Sequence, residues 1–100
     1  MKLYDAAFVC RSKNAGPFQV TIDLMFEEEA TFRTVLESPT FNTQNIGKLY
    51  QVDPGKIAVK PFERILTIKV VLPRLSSSGS PLDTDVYGSQ QHFPLGNLEI

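Results

Sequence analysis

The segment Phe18-Gln19-Val20-Thr21-Ile22-Asp23-Leu24-Met25-Phe26 decides the fold class, because apolar side chains occupy every second position along it. Successive side chains of a β-strand point to opposite faces, so this period of two predicts a strand with one face in the core. Arg64–Leu72 predicts a second strand, in which Leu66, Ile68, Val70 and Leu72 form one face and Ile65 and Val71 make the other partly apolar. Such a strand is typical of the centre of a sheet.

The segments around these strands predict further elements. Leu3–Arg11 is mostly apolar and predicts an earlier strand, and Ser12–Pro17 is rich in turn residues and predicts a loop. Glu27–Ser38 predicts a helix, because its leading carboxylates suit the positive end of the helix dipole. Thr43–Tyr50 predicts a second helix, in which Gly47 costs about 1 kcal/mol relative to alanine.

The rest of the chain predicts turns, short strands and anchors. Asp53-Pro54-Gly55 is a turn signal, and strand-like segments follow on both sides of Pro61. Ser76–Pro81 is a loop by composition. In the last segment we expect three apolar anchors, Leu95, Leu98 and Ile100. Together these elements predict one α+β domain over residues 1–100, a ferredoxin-like α/β sandwich with a mainly antiparallel sheet and helices on one face.

Length and composition restrict the function classes. One hundred residues with 42% hydrophobic side chains suit one core. Ten basic and 11 acidic residues give a net charge of −1, which disfavours nucleic-acid binding. Apolar runs are short and the start of the chain has no signal-like region, so we expect a cytoplasmic protein without a membrane span. The single cysteine, Cys10, excludes a disulfide framework and is expected to be a small buried hydrophobe.

The first polar segment that could carry chemistry is Arg11-Ser12-Lys13-Asn14-Ala15-Gly16. Arginine offers a planar fork of donors and lysine a compact charge, so these residues could hold a carboxylate or a phosphate. The alternative is a hairpin loop whose charges simply face water.

The second polar segment is Ser78–His92, which contains two carboxylates, a phenol, two amides and the only histidine. The ordinary pKa of histidine lies near 6.5, so His92 could act as a general acid or base. Asp83, Asp85 and His92 could also ligate a divalent metal, although this spacing is common by chance. A lone histidine is more often a packed or surface residue, and we assign no cofactor.

Three blocks of the chain together are similar to a known family. They are Leu3-Tyr4-Asp5, Arg11–Phe18 and the tail from Gly79 to Leu95. They resemble a small domain-of-unknown-function family whose members are encoded beside, or fused to, large proteins of the acyclic terpene utilisation A type. The resemblance implies a small ferredoxin-like module that partners a much larger protein of acyl or organic-acid metabolism.

Three functional hypotheses follow. In the first, the chain is a small accessory subunit of a two-component enzyme that acts on an organic acid or acyl thioester by hydratase, lyase or isomerase chemistry at a site shared with the large partner. Asp85 and His92 would handle a proton. The substrate would be bound by the polar side chains Arg11, Ser12, Lys13, Asn14, Gln90 and Gln91. In the second, the same segments form a non-catalytic interaction module. In the third, the chain is a stand-alone metal-dependent enzyme that uses Asp83, Asp85 and His92.

Overall fold

The computed structural model describes residues 1–16, 18–73 and 93–100. Within them four strands form one antiparallel sheet: β1 (Val9–Asn14), β2 (Gln19–Met25), β3 (Ala58–Phe62) and β4 (Thr67–Pro73). The spatial order is β1-β2-β4-β3, so β2 and β4 are central. The helices are α1 (Leu3–Ala6), α2 (Glu29–Leu36), α3 (Thr43–Tyr50) and α4 (Phe93–Gly96).

The two central strands follow the alternation of the sequence. β2 buries Val20, Ile22 and Leu24 completely, and their register partners in β4 are equally apolar: Leu72, Val70 and Ile68. The predicted strand over residues 18–26 is therefore confirmed, and β4 is central as expected. β4 begins three residues later than predicted, because Glu63–Ile65 form a 3-10 turn and Leu66 has a left-handed φ of 48°. This turn reverses the chain between β3 and β4.

The helices pack on the face of the sheet that carries these buried side chains. The strand residues share one hydrophobic cluster with Phe32 and Val35 of α2, Ile46 of α3 and Leu95 of α4. The α+β sandwich with an antiparallel sheet is therefore confirmed. Both predicted helices are present, and α3 has the predicted bounds. No helix among the described residues has the length and apolar character needed to cross a membrane.

The N-terminal prediction is wrong in two places. Leu3–Ala6 is a short helix rather than a strand, and Leu3 is completely buried while its N–H donates to the Leu98 carbonyl at 2.9 Å. Ser12–Asn14, predicted as loop, continues β1, because each of its residues pairs with β2. In both segments contacts with other parts of the chain override local preference.

The C-terminal anchors are confirmed. Leu95 is fully buried, and Leu98 and Ile100 pack against the core. The backbone N–H of Leu95 donates to the buried Tyr50 hydroxyl at 3.1 Å, and that of Ile100 donates to the Met1 carbonyl at 2.9 Å. These bonds hold both ends of the chain against the helical layer. The predicted loop Ser76–Pro81 lies outside the described residues.

Candidate functional site

The structure divides the first polar segment between the two faces of the sheet. Arg11 and Lys13 alternate with Ser12 and Asn14 along β1, and Arg11 pairs with Asp23 of β2 whereas Ser12 pairs with Ile22 in the core. Arg11 and Lys13 therefore lie on the outer face, which is the side of the sheet opposite the helices. Ser12 is buried on the helical side, so it does not share a site with the two cations. Asn14 is on that side as well.

A row of charged residues crosses the outer face at the level of Arg11. The register places Arg11 beside Asp23, Asp23 beside Lys69, and Lys69 beside Lys60. One residue comes from each of the four strands, and three of the four are cations. Cross-strand neighbours lie about 4.5–5.5 Å apart at Cβ, so the single carboxylate is flanked directly by positive charge.

Three residues of this row, Arg11, Asp23 and Lys69, line a cavity of about 300 Å³, which we call the Asp23 cavity. It is lined by Arg11, Lys13, Asp23, Met25, Phe62, Ile65, Thr67 and Lys69. Among these lining residues three are cations and one is an anion, so the cavity carries a net charge of +2. Its apolar lining residues are Met25, Phe62 and Ile65. They lie at one end of the sheet, since Met25 and Phe62 both pair with Thr67 and Ile65 belongs to the turn before β4. The cavity therefore suits an anionic group attached to a small hydrocarbon.

Asp23 is unusual for a charged residue on a sheet face. Its side chain is only 7% exposed. Arg11 Nε lies 3.8 Å from Asp23 Oδ2, and Lys69 Nζ lies 3.9 Å from Asp23 Oδ1. Both distances are ion-pair distances and exceed the length of an N–H···O hydrogen bond. No residue in the described ranges donates a hydrogen bond to Asp23 Oδ1, although buried polar atoms are nearly always bonded.

A second cavity, of about 430 Å³, has the opposite charge. It lies between α1 and the start of α2, and three carboxylates line it, those of Asp5, Glu27 and Glu28. Its described lining contains no cation, so it would repel the anions that the Asp23 cavity attracts. None of the residues predicted to bind substrate lines it. The Asp23 cavity is therefore the better candidate for an anionic ligand.

The second polar segment lies beyond what the structure describes. Asp83, Asp85, Gln90, Gln91 and His92 all fall outside the described residues. Their roles in binding, proton transfer or metal ligation stay predictions. In the described ranges no three His, Cys, Asp or Glu side chains are grouped closely enough to hold a metal ion.

Cys10 lies on the helical side of β1, where it is partly buried against the hydrophobic core. Burial raises the pKa of its thiol to about 11. A thiol with this pKa carries almost no thiolate at neutral pH and is a poor nucleophile. Its environment is that of a packed apolar side chain, as the sequence predicts.

Sequence reasoning found two cations of the cavity and missed the other two charged residues. The alternation along residues 18–26 places Asp23 on the polar side of its strand, and the apolar pattern of residues 64–72 does not distinguish Lys69. A signal was available, because each is the charged residue within a strand that is otherwise largely apolar. The burial of Asp23 could not be predicted from the alternation of β2 alone, because it depends on which strands lie on either side of β2.

The chain belongs to the family described as "Domain of unknown function (DUF4387)", whose model matches residues 3–99. The resemblance to a domain-of-unknown-function family is therefore confirmed over nearly the whole chain. Searches of curated proteins and of solved structures gave no match.

Proposed function

We propose that the chain is a small accessory subunit that binds the carboxylate of an organic acid in the Asp23 cavity and contributes this cavity to an enzyme site shared with a larger partner. The observation that supports it is the convergence of Arg11, Lys13 and Lys69 around a cavity that contains one carboxylate. Hydrogen bonds in which both groups are charged are about twice as strong as neutral ones, and Arg can bind a carboxylate through two of its N–H groups.

The position of the cations suits recognition of a ligand from solution. Arg11 lines the cavity and its side chain is 61% exposed, so its guanidinium is accessible to a ligand from solution although Nε lies 3.8 Å from Asp23 Oδ2. Lys13 lies two residues after Arg11 in β1, on the same face of the sheet. An arriving carboxylate would neutralise part of the excess positive charge, which supports binding electrostatically.

The rim of the cavity supports a role for a partner. Phe62 is 43% exposed and Ile65 is 66% exposed, and both line the cavity, so we call them its rim. Large apolar side chains that meet at a rim are typical of contact surfaces between proteins. A partner that covers them would also exclude water from the bound acid. By the resemblance, we propose a large protein of the acyclic terpene utilisation A type as this partner, and hydratase, lyase or isomerase chemistry with Asp85 and His92 as proton-handling residues.

Anion binding is tested on the isolated chain by titrating 3-methylbutanoate and following backbone amide shifts by NMR. Arg11→Ala and Lys13→Ala should each weaken binding by about tenfold, the loss expected for a charge-assisted hydrogen bond. Lys56→Ala is the matched control, because Lys56 is an exposed lysine in a turn and lines none of the cavities described above. Binding that is unchanged in Arg11→Ala, or reduced equally in Lys56→Ala, would contradict the proposal.

The exposed rim also favours the second candidate function, a non-catalytic interaction module. Co-expression with the large partner followed by measurement of the complex mass tests the contact that both functions require, and the turnover of the complex distinguishes them. Ile65→Ser should release the partner, whereas Leu49→Ser should not, since Leu49 is 40% exposed on α3 and outside the cavity. If Arg11→Ala then leaves the turnover of the intact complex unchanged, the interaction module is correct and the shared site is wrong.

A further inference from the structure

The buried carboxylate of Asp23 is the feature of the cavity that anion binding does not explain. A site that recognises only a carboxylate needs cations, and an anion in its lining weakens it. This chain nevertheless places Asp23 there, with only 7% of its side chain exposed. Burial of a charged group without hydrogen bonds raises the free energy of the folded state. A ligand that donates a hydrogen bond to Asp23 would offset part of this desolvation cost.

Asp23 Oδ1 is buried and has no hydrogen-bond donor among the described residues around it. The two ion pairs measure 3.8 Å to Arg11 Nε and 3.9 Å to Lys69 Nζ, which is beyond hydrogen-bond length. The one hydroxyl among the lining residues, that of Thr67, donates to the Ile65 carbonyl at 3.0 Å and is directed away from the carboxylate. Throughout the part of the chain that the structure describes, Asp23 Oδ1 accepts no hydrogen bond.

We propose that the Asp23 cavity binds a hydroxycarboxylate. The partly exposed Lys69 side chain moves aside from Asp23 Oδ1, the ligand's hydroxyl group donates a hydrogen bond to this atom, and Arg11 and Lys13 hold the carboxylate. This inference rests on the proposed anion binding and names the substrate class of that same site. The hydrocarbon part of the acid packs against the apolar wall of Met25 and Phe62.

Charge decides in favour of a hydroxyl donor over an ammonium group. A zwitterionic amino acid would bring its positive charge to Asp23, where Arg11 and Lys69 already lie within 4 Å of the carboxylate oxygens. The ammonium group would gain one attraction, to Asp23, and two repulsions, from Arg11 and Lys69. Each such interaction is about 1 kcal/mol at about 4 Å in water and larger in a partly buried site, so the repulsions outweigh the attraction. A hydroxyl group supplies the missing hydrogen bond without added charge.

The test compares acids that differ by one hydroxyl group. The full chain is titrated with 2-hydroxy-3-methylbutanoate, 3-hydroxy-3-methylbutanoate and 3-methylbutanoate, and backbone amide shifts are followed by NMR. At least one hydroxy acid should bind about tenfold more tightly than 3-methylbutanoate. Asp23→Ala should remove this preference and leave 3-methylbutanoate binding equal or tighter, because two cations lose their intramolecular partner. Glu37→Ala, which removes an exposed carboxylate on the helical side, should keep the wild-type preference.

Failure of this inference and failure of the proposed function give different results. If none of the three acids binds, both are wrong. If all three bind the wild-type chain equally, or if the preference persists in Asp23→Ala, only the hydroxyl recognition is wrong. Should Asp23→Ala fail to fold, the carboxyl ¹³C shift of Asp23 is measured in the wild-type chain. The hydroxy acid should move it more than 3-methylbutanoate does, and equal shifts would overturn the inference.

Discussion

Replacement of Gly47 by alanine separates local helix preference from the packing that the structure shows. Gly47 lies inside α3, so helix propensity predicts that alanine stabilises the fold by about 1 kcal/mol. The structure predicts the opposite. A Cβ atom at position 47 would lie 2.8 Å from the Val52 carbonyl oxygen and 3.1 Å from Pro54 Cγ. The first of these is a backbone atom, which cannot rotate away.

The loss of stability in Gly47→Ala depends on how far the turn after α3 must shift to admit the methyl group. The turn after α3 is held by the Val52 N–H, which donates to the Gly47 carbonyl at 3.0 Å, and by Gln51, whose φ of 57° is left-handed. Making room for the methyl group costs about 1–3 kcal/mol for overpacking, and straining the hydrogen bond adds about 0.5–1.5 kcal/mol. Less the propensity gain of about 1 kcal/mol, the net loss is roughly 0.5–3.5 kcal/mol.

Thermal unfolding followed by circular dichroism measures this loss. A change of 1 kcal/mol shifts the Tm of a chain of this size by about 4–8 °C, so Gly47→Ala should lower it by at least about 2 °C. Gly55→Ala is the matched control, because its Cβ would meet nothing closer than Asp53 Oδ1 at 3.5 Å. It should leave the Tm unchanged or raise it, by about 0.4–1 kcal/mol of unfolded-state entropy. If Gly47→Ala raises the Tm as Gly55→Ala does, the packing argument is wrong.

Two further predictions concern buried polar groups. Tyr50→Phe removes the hydroxyl to which the Leu95 N–H donates at 3.1 Å. Urea denaturation should show that the free energy of unfolding falls by about 1–2 kcal/mol. An unchanged urea midpoint would mean that α4 does not depend on this bond. Burial raises the pKa of the Cys10 thiol from 9.0 to about 11, so between these pH values the unfolded chain has lost a proton that the folded chain keeps. Stability should therefore fall as the pH rises through this window, and Cys10→Ala should reduce the fall; equal slopes of urea midpoint against pH in both proteins would refute this cause.

Local sequence patterns predict the elements whose secondary structure is set by their own residues rather than by the segments that pack against them. β2 and α3 could be placed because alternation and helical spacing are properties of a single segment. Leu3–Ala6 and Ser12–Asn14 could not be placed, since the first is a helical turn fixed by the buried Leu3 side chain and the C-terminal segment, and the second is strand only because β2 lies beside it. The turn-rich composition of a segment does not show whether another strand lies beside it.

The candidate site shows the same division. Arg11 and Lys13 were predicted as binding residues from their chemistry, and the structure brings them to one cavity. The prediction grouped them with Ser12 and Asn14 because a loop has no alternating faces, whereas a strand separates neighbours. Lys69 reaches Asp23 only because β4 inserts between β2 and β3, and this strand order depends on long-range packing.

The geometry of Asp23 argues against a purely structural role. A carboxylate retained for stability would be expected to accept short hydrogen bonds, because an ion pair taken out of water repays its desolvation only when the remaining lone pairs are satisfied. Here both cations lie almost 4 Å away and Oδ1 accepts no bond from any described residue. Replacement of such a group by an apolar residue is often neutral for stability. A hydrogen bond that Asp23 accepts from a ligand in this cavity therefore explains the carboxylate better than a contribution to stability does.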